Sequence, residues 1–337
     1  MDIVHNSPDT TFLFCAESGH FESQTLLAIE CLRRFGGRFA DAPVLVITPR
    51  LGPSLTRDTI ARFAELRVTY IREDVGHRYS WFGFTNKALA AMLAEKHATT
   101  GQIIWMDSDT LIVKEPDMLV LEPDVDFAIC AIDKNVGSSG PDDKNERYWR
   151  ALCDYNKVDI DRLPWITTEF DQQRVRFRLH SGIYVYRRGC GFGTAWLAAC
   201  ERMFDSGIMY SRDLPFPGDD VAMAFSTVEL GLRWRILPML YNYEITPTSL
   251  TYRREKLPQA SILHYHQAIT NADACAWLLK EISGVFPELH DWLKDRVPLN
   301  PKIGGIFRSV MRRSLREWRI RQQRKFQEKS GKYLVAS

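Results

Sequence analysis

The sequence predicts an α/β fold with a mostly parallel central sheet that helices cover on both faces. Short apolar segments alternate with amphipathic helical patterns through the first 110 residues, as in repeated β-α units. The apolar segments are continuous, as expected for strands buried on both faces. With 337 residues and 45% hydrophobic content, the chain can bury a large core, and it shows neither an internal repeat nor a linker.

The first half of the chain is predicted to consist of consecutive β-α units. A strand at 11–16 leads into a helix at 23–37, whose apolar residues share one face and which ends at Gly36 and Gly37. The same alternation continues to a fourth strand that contains the sequence IIWM. The further strands are predicted at 43–48, 67–71 and 101–106, and the further helices at 56–66 and 84–98.

The second half is less regular. A predicted strand at 126–132 is followed by a polar segment at 133–179, rich in Asp, Arg and aromatic residues, which we expect to form a long excursion on the ligand side of the sheet. The remaining strands are predicted at 181–187, 233–237 and 261–266, and the remaining helices at 193–204, 219–230 and 271–286.

The distribution of charge, the cysteines and the length of the apolar segments indicate which classes of protein the sequence excludes. The formal net charge is +2, but residues 302–337 hold eleven Lys and Arg against Glu317 and Glu328, so the rest of the chain is acidic overall. No segment approaches the roughly 20 apolar residues of a membrane span, and the start lacks the pattern of a secretory signal. The seven scattered cysteines form no CxxC pair, which favours reduced core thiols. These features predict a cytoplasmic protein.

Two carboxylates end the fourth predicted strand, in the sequence IIWMDSDTLIV. Ligands bind at the carboxyl ends of parallel strands, so Asp107 and Asp109 are expected at the ligand edge of the sheet. One residue separates them, which places both on one side, where they repel each other unless a divalent cation is bound. A diphosphate is the natural further ligand of such a cation. Alternatively, Asp107 caps the following turn and Asp109 faces solvent.

The stretch WMDSDTLI resembles the Asp-any-Asp motif of the metal-dependent glycosyltransferases of GT-A fold, most closely the glycogenin/galactosyltransferase-like, family 8-type group. The resemblance covers roughly residues 10–270 and implies a Rossmann-like sheet that binds a nucleotide-diphosphate-sugar. It also implies that Asp107 and Asp109 bind Mn²⁺ or Mg²⁺ on the donor diphosphate, with Asp107 near the ribose as well.

A second segment, LHSGIYVYRR, is similar to the motif that lines the sugar pocket in that group. The similarity implies donor contacts for Ser181 and Gly182, although His180 replaces the usual Asn. Without the resemblance, the same two residues can be read as a tight turn into a strand, where glycine permits close backbone approach.

Two more segments follow in the order that the GT-A fold requires. PFPGDDVAM resembles the acidic motif that faces the acceptor, which makes Asp219 and Asp220 candidate catalytic residues; they can equally be only a helix cap. ASILHYHQ resembles the segment with the late metal-binding histidine, which implies His264, with His266 as the alternate. The two histidines alternate along the predicted strand and share one face, although a lone strand histidine is usually a core residue.

Residues upstream of the acidic pair are predicted to contact the donor. Asn86 and Lys87 stand at a predicted helix N-terminus, where a lysine neutralises phosphate or sugar oxygens or simply faces solvent. Ala16 and Glu17 follow the first strand and are candidates for base and ribose contacts.

The predicted reaction moves a hexose or related sugar from the donor to a hydroxyl of a glycan, lipid-linked or protein acceptor. An inverting enzyme needs a carboxylate base, for which Asp220 and Asp219 are available. A retaining enzyme relies mainly on the metal to stabilise the departing nucleoside diphosphate. The resemblance favours retention.

The chain is divided at the sequence level into a catalytic domain, 1–295, and a basic tail, 296–337. Residues 302–332 form an amphipathic pattern in which Ile303, Phe307, Val310, Met311, Leu315 and Trp318 share one stripe. Such a helix lies on an anionic membrane surface, or docks on its own domain or on a partner. Nucleic-acid binding is not expected, because the body is acidic and the tail contains no recognised module. Membrane contact would place the enzyme at the inner face of the membrane.

Two other functions fit parts of the sequence. A haloacid-dehalogenase-like phosphatase also has Asp-any-Asp after a strand, but it needs a Thr two residues after the second Asp, whereas Thr110 follows Asp109 directly. Its motif also opens the domain, and here about 100 residues precede it. The second alternative is a protein that binds a nucleotide-sugar or glycan without transferring it.

Overall fold

The computed structural model describes residues 8–208, 219–299 and 304–330. The strands are β1 Thr10–Cys15, β2 Val44–Thr48, β3 Val68–Arg72, β4 Gln102–Met106, β5 Thr110–Ile112, β6 Phe127–Cys130, β7 Trp165–Thr167, β8 Arg174–Arg176, β9 His180–Arg187, β10 Trp234–Leu237, β11 Tyr243–Glu244 and β12 Ile262–His264. The α-helices are α1 His20–Phe35, α2 Arg57–Glu65, α3 Thr85–His97, α4 Glu146–Asn156, α5 Phe192–Ser206, α6 Asp219–Glu229, α7 Ala272–Ser283, α8 Pro287–Leu293 and α9 Gly305–Ser330.

A seven-stranded sheet in the order β10-β6-β9-β4-β1-β2-β3 forms the centre of the molecule. β1 is parallel to β2 and β4, and β2 is parallel to β3. β9 is antiparallel to both neighbours, β4 and β6, whereas β6 and β10 are parallel to each other. The prediction of a mostly parallel sheet is therefore confirmed, and the carboxyl ends of β1, β2 and β4 meet at one edge.

Helices cover both faces of this sheet, which explains the continuous apolar sequences of its strands. Alternate residues of β1 enter different cores: Phe12 and Phe14 pack with α1 and α7, and Leu13 packs with α3, α4, α5 and α6. Close packing between α3 and α5 is possible because Gly193 has no Cβ, which would lie 2.4 Å from the backbone nitrogen of Met92.

The 133–179 segment is more ordered than the sequence predicts. It contains α4 and the β7–β8 hairpin, and a buried ion pair joins them. Arg176 donates from Nε and Nη2 to the two carboxylate oxygens of Glu146 at 2.9 and 2.8 Å, and both side chains are 3% exposed. The segment reaches the ligand side of the sheet, as expected, because Asn135 and Val136 line the cavity found there.

A second, three-stranded sheet, in the order β11-β12-β5, was not predicted. The chain leaves the large sheet at the end of β4, turns through Asp107–Asp109 and enters β5, which pairs antiparallel with β12. The prediction of a strand at 261–266 is too long, because β12 ends at His264 and His266 has a positive φ of 49°. The two histidines therefore do not alternate along one strand.

The predicted tail helix is present as α9, within the described part of 302–332. Its side chains at Arg308, Arg312, Leu315, Arg319 and Phe326 are partly buried towards the domain. Of the predicted apolar stripe, Ile303 lies outside the described residues, and Phe307, Val310, Met311 and Trp318 are exposed. None of the helices that the structure describes combines the length and apolar character needed to cross a bilayer.

Candidate functional site

One cavity of about 660 Å³ opens at the carboxyl ends of β1 and β4 and brings most of the predicted site residues together. Two residues that were predicted to contact the donor do not line the cavity. Ala16 is fully buried, and Gly182 lies beneath the cavity surface, where its carbonyl accepts a hydrogen bond from the Asp107 N–H. The predicted residues that line the cavity are Glu17, Asn86, Lys87, Asp107, Asp109, Ser181, Asp219, Asp220, His264 and His266.

The Asp107–Asp109 turn connects the two sheets. The Asp107 N–H donates to Gly182 O at 2.9 Å in the large sheet, and Asp109 O accepts from the Tyr265 N–H at 3.0 Å beside the small one. Between them, Ser108 hydrogen-bonds to Thr25 of α1 at 2.8 Å. The two carboxylates therefore have different surroundings, although both line the cavity.

Asp109 lies against the two histidines. Its Oδ1 is 3.1 Å from Nε2 of His264, and its Oδ2 is 3.8 Å from Nδ1 of His266. One ligand atom from each of the three residues lies within 4.8 Å of the others. Burial disfavours the charged carboxylate, but the charge interaction and hydrogen bond with His264, with smaller contributions from His266 and Lys87, lower the pKa of Asp109 overall.

Asn242 determines which nitrogen of each histidine is protonated. Nδ1 of His180 accepts from the Gly182 N–H at 3.2 Å, so the Asn242 atom that lies 2.6 Å from it must be the donor Nδ2. The amide oxygen then faces Nδ1 of His264 at 2.8 Å, and that nitrogen must carry a hydrogen. In neutral His264 the lone pair is consequently on Nε2, directed at Asp109.

This arrangement fits a cation. A lone pair and a carboxylate 3.1 Å apart require either a proton or a metal ion between them. Five carboxylates line the cavity against three lysine and arginine side chains, so an added positive charge compensates the excess. A carboxylate with two imidazoles is a mixed oxygen and nitrogen ligand set, which a transition-metal ion accepts more readily than Mg²⁺ does, because Mg²⁺ prefers oxygen ligands.

Lys87 occupies the centre of the other half of the cavity. Its Nζ lies 2.8 Å from Asp107 Oδ2 and 3.9 Å from Asp219 Oδ2, and it donates to Ser181 Oγ at 3.1 Å. Burial disfavours the ammonium, yet the neighbouring carboxylates outweigh this effect and raise the pKa of Lys87. Asp107 is held further by Trp105 Nε1, which donates to Oδ1 at 2.8 Å. The ammonium is thus a fixed charge within the cavity.

Asp219 and Asp220 begin α6, as predicted, but they differ. Burial, and to a smaller extent the charge of Asp220, raise the pKa of Asp219 to about 6, even though Lys87 acts in the opposite direction. Asp220 instead forms an ion pair with Arg178, whose Nη2 lies 3.1 Å from Oδ2. Asp219 therefore has a pKa much closer to neutral pH than an ordinary aspartate has.

Glu17 holds three parts of the rim together. Arg50 pairs with both carboxylate oxygens, Asn86 Nδ2 donates at 2.8 Å, and Arg319 of α9 lies at 3.3 Å. Burial opposes ionisation, but the Arg50 hydrogen bonds outweigh it and lower the pKa of Glu17. The predicted nucleotide contact is thus also an anchor for α9.

Sequence reasoning missed several residues of this site. Arg50 follows the end of β2 at the ligand edge, so its position along the chain was a usable signal. Asn242 and Gln323 belong to no motif, and only their packing reveals them. The missed residues that line or support the cavity are Arg50, Trp105, Arg178, Asn242 and Gln323.

The fold matches those of solved glycosyltransferases. An active-site variant of LgtC matches with a TM-score of 0.51 at 13% sequence identity, over 87% of this chain and 98% of that chain. The galactosyltransferase LgtC with donor and acceptor sugar analogues matches with a TM-score of 0.49 at 12% identity, over 87% and 98%. Mouse xyloside xylosyltransferase 1 matches with a TM-score of 0.45 at 11% identity, over 76% and 98%. No curated protein sequence matches significantly.

The fold is accordingly that of the GT-A glycosyltransferases. The model of the Rhodobacterales glycosyltransferase domain matches residues 12–230, from β1 to just past α6. Because this range is more than half of the chain, the protein belongs to that family of glycosyltransferase domains.

Proposed function

We propose that this protein transfers a hexose or related sugar from a nucleotide-diphosphate-sugar to a hydroxyl of a glycan, lipid-linked or protein acceptor, with a divalent cation at Asp109. Family membership supports glycosyl transfer in general. The observation that carries the specific proposal is the group formed by Asp109, His264 and His266, which faces the same cavity as the Asp107–Lys87 pair.

The residues of the cavity have separable roles in this proposal. Asp109 and His264 hold Mn²⁺, or Mg²⁺, with His266 and Asp107 as the further ligands available. When bound, the cation stabilises the negative charge that develops on the departing nucleoside diphosphate. Lys87 supplies a second, fixed positive charge beside it, and keeps Asp107 and Ser181 in place.

Asp219 is the protein group best suited to handle a proton. Its pKa of about 6 leaves it ionised at neutral pH, and its Oδ2 is a buried acceptor atom without a hydrogen-bond partner among the described residues. Asp220 is less suited, because Arg178 holds it. If the reaction inverts the anomeric centre, Asp219 is the base that takes the hydroxyl proton. The resemblance favours retention, in which Asp219 orients the acceptor.

Purified full-length protein tests the proposal. Thermal shifts with a panel of nucleoside diphosphates and their sugars, with and without Mn²⁺, identify the donor, because ligand binding stabilises the fold by mass action. Asp109→Asn is expected to abolish Mn²⁺ binding and metal-dependent turnover, whereas Asp124→Asn, at an exposed position, leaves both unchanged. NMR of the product then gives the anomeric configuration.

Three results argue against the proposal in different ways. Mn²⁺ affinity that survives Asp109→Asn excludes the metal site. Tight donor binding without turnover on any acceptor favours the non-catalytic alternative. Hydrolysis of an aryl phosphate that is lost in Asp107→Asn favours the phosphatase, against which family membership already weighs.

We also propose that α9 contacts an anionic membrane surface from the cytoplasmic side. Ile306, Phe307 and Val310 are 86%, 74% and 58% exposed, and exposed Arg313 and Arg321 accompany them. Sedimentation with phosphatidylglycerol vesicles is expected to retain the wild-type protein and to lose Phe307→Glu, with phosphatidylcholine vesicles as the control. Equal retention by both vesicles contradicts this part of the proposal.

A further inference from the structure

Helix α9 docks on the rim of the cavity through a face rich in arginine. Arg308 Nε donates to Ser54 O at 3.1 Å, Arg312 Nη1 donates to Ser18 Oγ at 3.1 Å, and Arg319 Nη2 donates to Leu51 O at 2.8 Å. The acceptors belong to the loops that follow β1 and β2. The first four turns of α9 are therefore fixed to the edge of the sheet where nucleotides bind in this class of fold.

The other end of α9 is anchored on the segment that contains Trp81, which hydrogen-bonds to Arg50 through the backbone of Ser80. The ring of Phe326 lies 5.4 Å from Trp81 and 5.5 Å from Phe204, in tilted and edge-on arrangements. Trp81 itself lines the cavity. The helix thus runs along the rim of the cavity, and Gln323, which lies between the two anchors, is part of the cavity wall.

The ion pair between Arg319 and Glu17 joins this helix to the interior of the site. The same carboxylate accepts from Arg50 and Asn86, both of which line the cavity. Gln323 follows Arg319 by one helical turn and shares its face. A displacement of α9 therefore removes Gln323 from the wall and also takes one cationic partner from Glu17.

The contacts of α9 differ from those of an ordinary amphipathic helix. Its most exposed apolar side chains, Ile306 and Phe307, point away from the domain, and the partly buried side combines three arginines and two glutamines with Leu315 and Phe326. The Arg319 and Glu17 side chains are 18% and 20% exposed, so salt weakens their attraction only in part. The contact between α9 and the domain thus combines an apolar anchor at Phe326 with polar contacts at the cavity.

We infer that α9 is a wall of the donor pocket, in which the Gln323 amide contacts the nucleotide part of the bound donor and Arg319 positions the helix through Glu17. An amide both donates and accepts hydrogen bonds, which suits a base edge or ribose hydroxyls. This inference rests on the proposed function, since it names further residues for the same donor.

The test measures binding of nucleoside diphosphates to full-length protein by calorimetry in the presence of Mn²⁺. Gln323→Ala and Arg319→Gln are expected to weaken the tightest nucleotide about threefold to tenfold, as for the loss of one hydrogen bond. Gln327→Ala, at an exposed position on the same helix, is the matched control and is expected to bind as the wild type does. Mn²⁺ affinity without nucleotide should be the same in all four proteins.

Hydrogen exchange provides a second readout that does not depend on variants. Nucleotide binding to the wild type is expected to slow amide exchange in the last three turns of α9. Wild-type affinity in both Gln323→Ala and Arg319→Gln, with unchanged exchange in α9, overturns the inference and leaves the proposed function intact. If no nucleoside diphosphate binds the wild type with Mn²⁺, the donor pocket itself is wrong and both proposals fall.

Discussion

Asn242 accepts a hydrogen bond from Nδ1 of His264 at 2.8 Å, and thereby leaves Nε2 of that histidine free to bind a cation beside Asp109. Loss of a residue that hydrogen-bonds to a metal-binding histidine typically lowers metal affinity 10- to 100-fold. We therefore expect Asn242→Leu, which has similar volume, to weaken Mn²⁺ binding by about that factor. Electron paramagnetic resonance of free Mn²⁺ measures the effect without substrate.

Asn242→Asp is the informative companion of that variant. The carboxylate still accepts from His264 but does not donate to His180, whose Nδ1 lies 2.6 Å away. Mn²⁺ affinity should therefore stay within about threefold of the wild type, while binding of the nucleotide-sugar weakens. If Asn242→Leu and Asn242→Asp lose Mn²⁺ affinity equally, the amide does not act by fixing the proton on His264.

Lys87→Met is expected to destabilise the protein as well as to abolish turnover. The substitution leaves Asp107 and Asp219 facing each other in a mostly buried cavity, which costs about 3 to 5 kcal/mol when one partner of a buried ion pair is removed. Urea denaturation measures the loss of unfolding free energy. The double variant Lys87→Met/Asp107→Asn should recover much of the stability and none of the activity, and recovered activity would contradict the role of Lys87 at the diphosphate.

Asp219 predicts a specific dependence of stability on pH. Its pKa is about 6 in the folded protein against a usual value of 3.8, so folding favours the protonated acid. This contribution is fully present below pH 3.8 and is lost as the pH rises through 6, and two pKa units correspond to about 3 kcal/mol. Asp219→Asn, which stays neutral, should therefore gain stability over the wild type as the pH rises.

Thermal denaturation between pH 4 and pH 8 checks this expectation. The melting temperatures of Asp219→Asn and wild type should be close at pH 4, should diverge up to about pH 6 and should then stay apart to pH 8, with the variant higher. A constant difference across the range would show that the substitution changes packing and not a titration. Asp124→Asn, at an exposed position, serves as the control.

The Glu146–Arg176 ion pair is expected to be the main contact that holds α4 to β8 within the 133–179 segment. Glu146→Leu leaves a buried guanidinium whose remaining close acceptor is Ile160 O at 3.0 Å, so we expect a loss of about 3 to 5 kcal/mol in unfolding free energy. Glu146→Leu/Arg176→Met removes both charges and should restore most of it. Equal stability of the single and double variants, measured in urea, would exclude the ion pair as the main contact between α4 and β8.

The parallel strands β1 to β4 could be predicted because they are mostly apolar segments of five or six residues between helical patterns. The small sheet could not be predicted, since β5, β11 and β12 have three, two and three residues, too few to show a period. The helix α4 was missed although its buried residues Tyr148, Trp149, Leu152 and Cys153 recur at helical spacing, because the polar residues around it suggested a loop. Its ion pair with β8 joins residues 30 apart in sequence and leaves no local pattern.

The candidate site likewise contains residues that the sequence predicts and residues that it does not predict. Asp109 and His264 belong to motifs whose spacing carries chemical meaning, and the structure places them 3.1 Å apart. Asn242 was not predictable, because its importance comes from two histidines that lie 62 and 22 residues away in sequence. The docking of α9 through arginines was not predicted either, since an apolar stripe suggests the opposite orientation.

The turn through Asp107–Asp109 directs the two carboxylates of the Asp-any-Asp motif, which are close in sequence, into different surroundings. Asp107 hydrogen-bonds to the large sheet and balances the charge of Lys87, whereas Asp109 hydrogen-bonds beside the small sheet and faces the histidines. Substitutions in β11 and β12 therefore act first on the histidine side of the cation site, and reach the phosphate side only through the charge interaction between Asp109 and Lys87. One short turn thus gives protein engineering two separate points from which to adjust the same site.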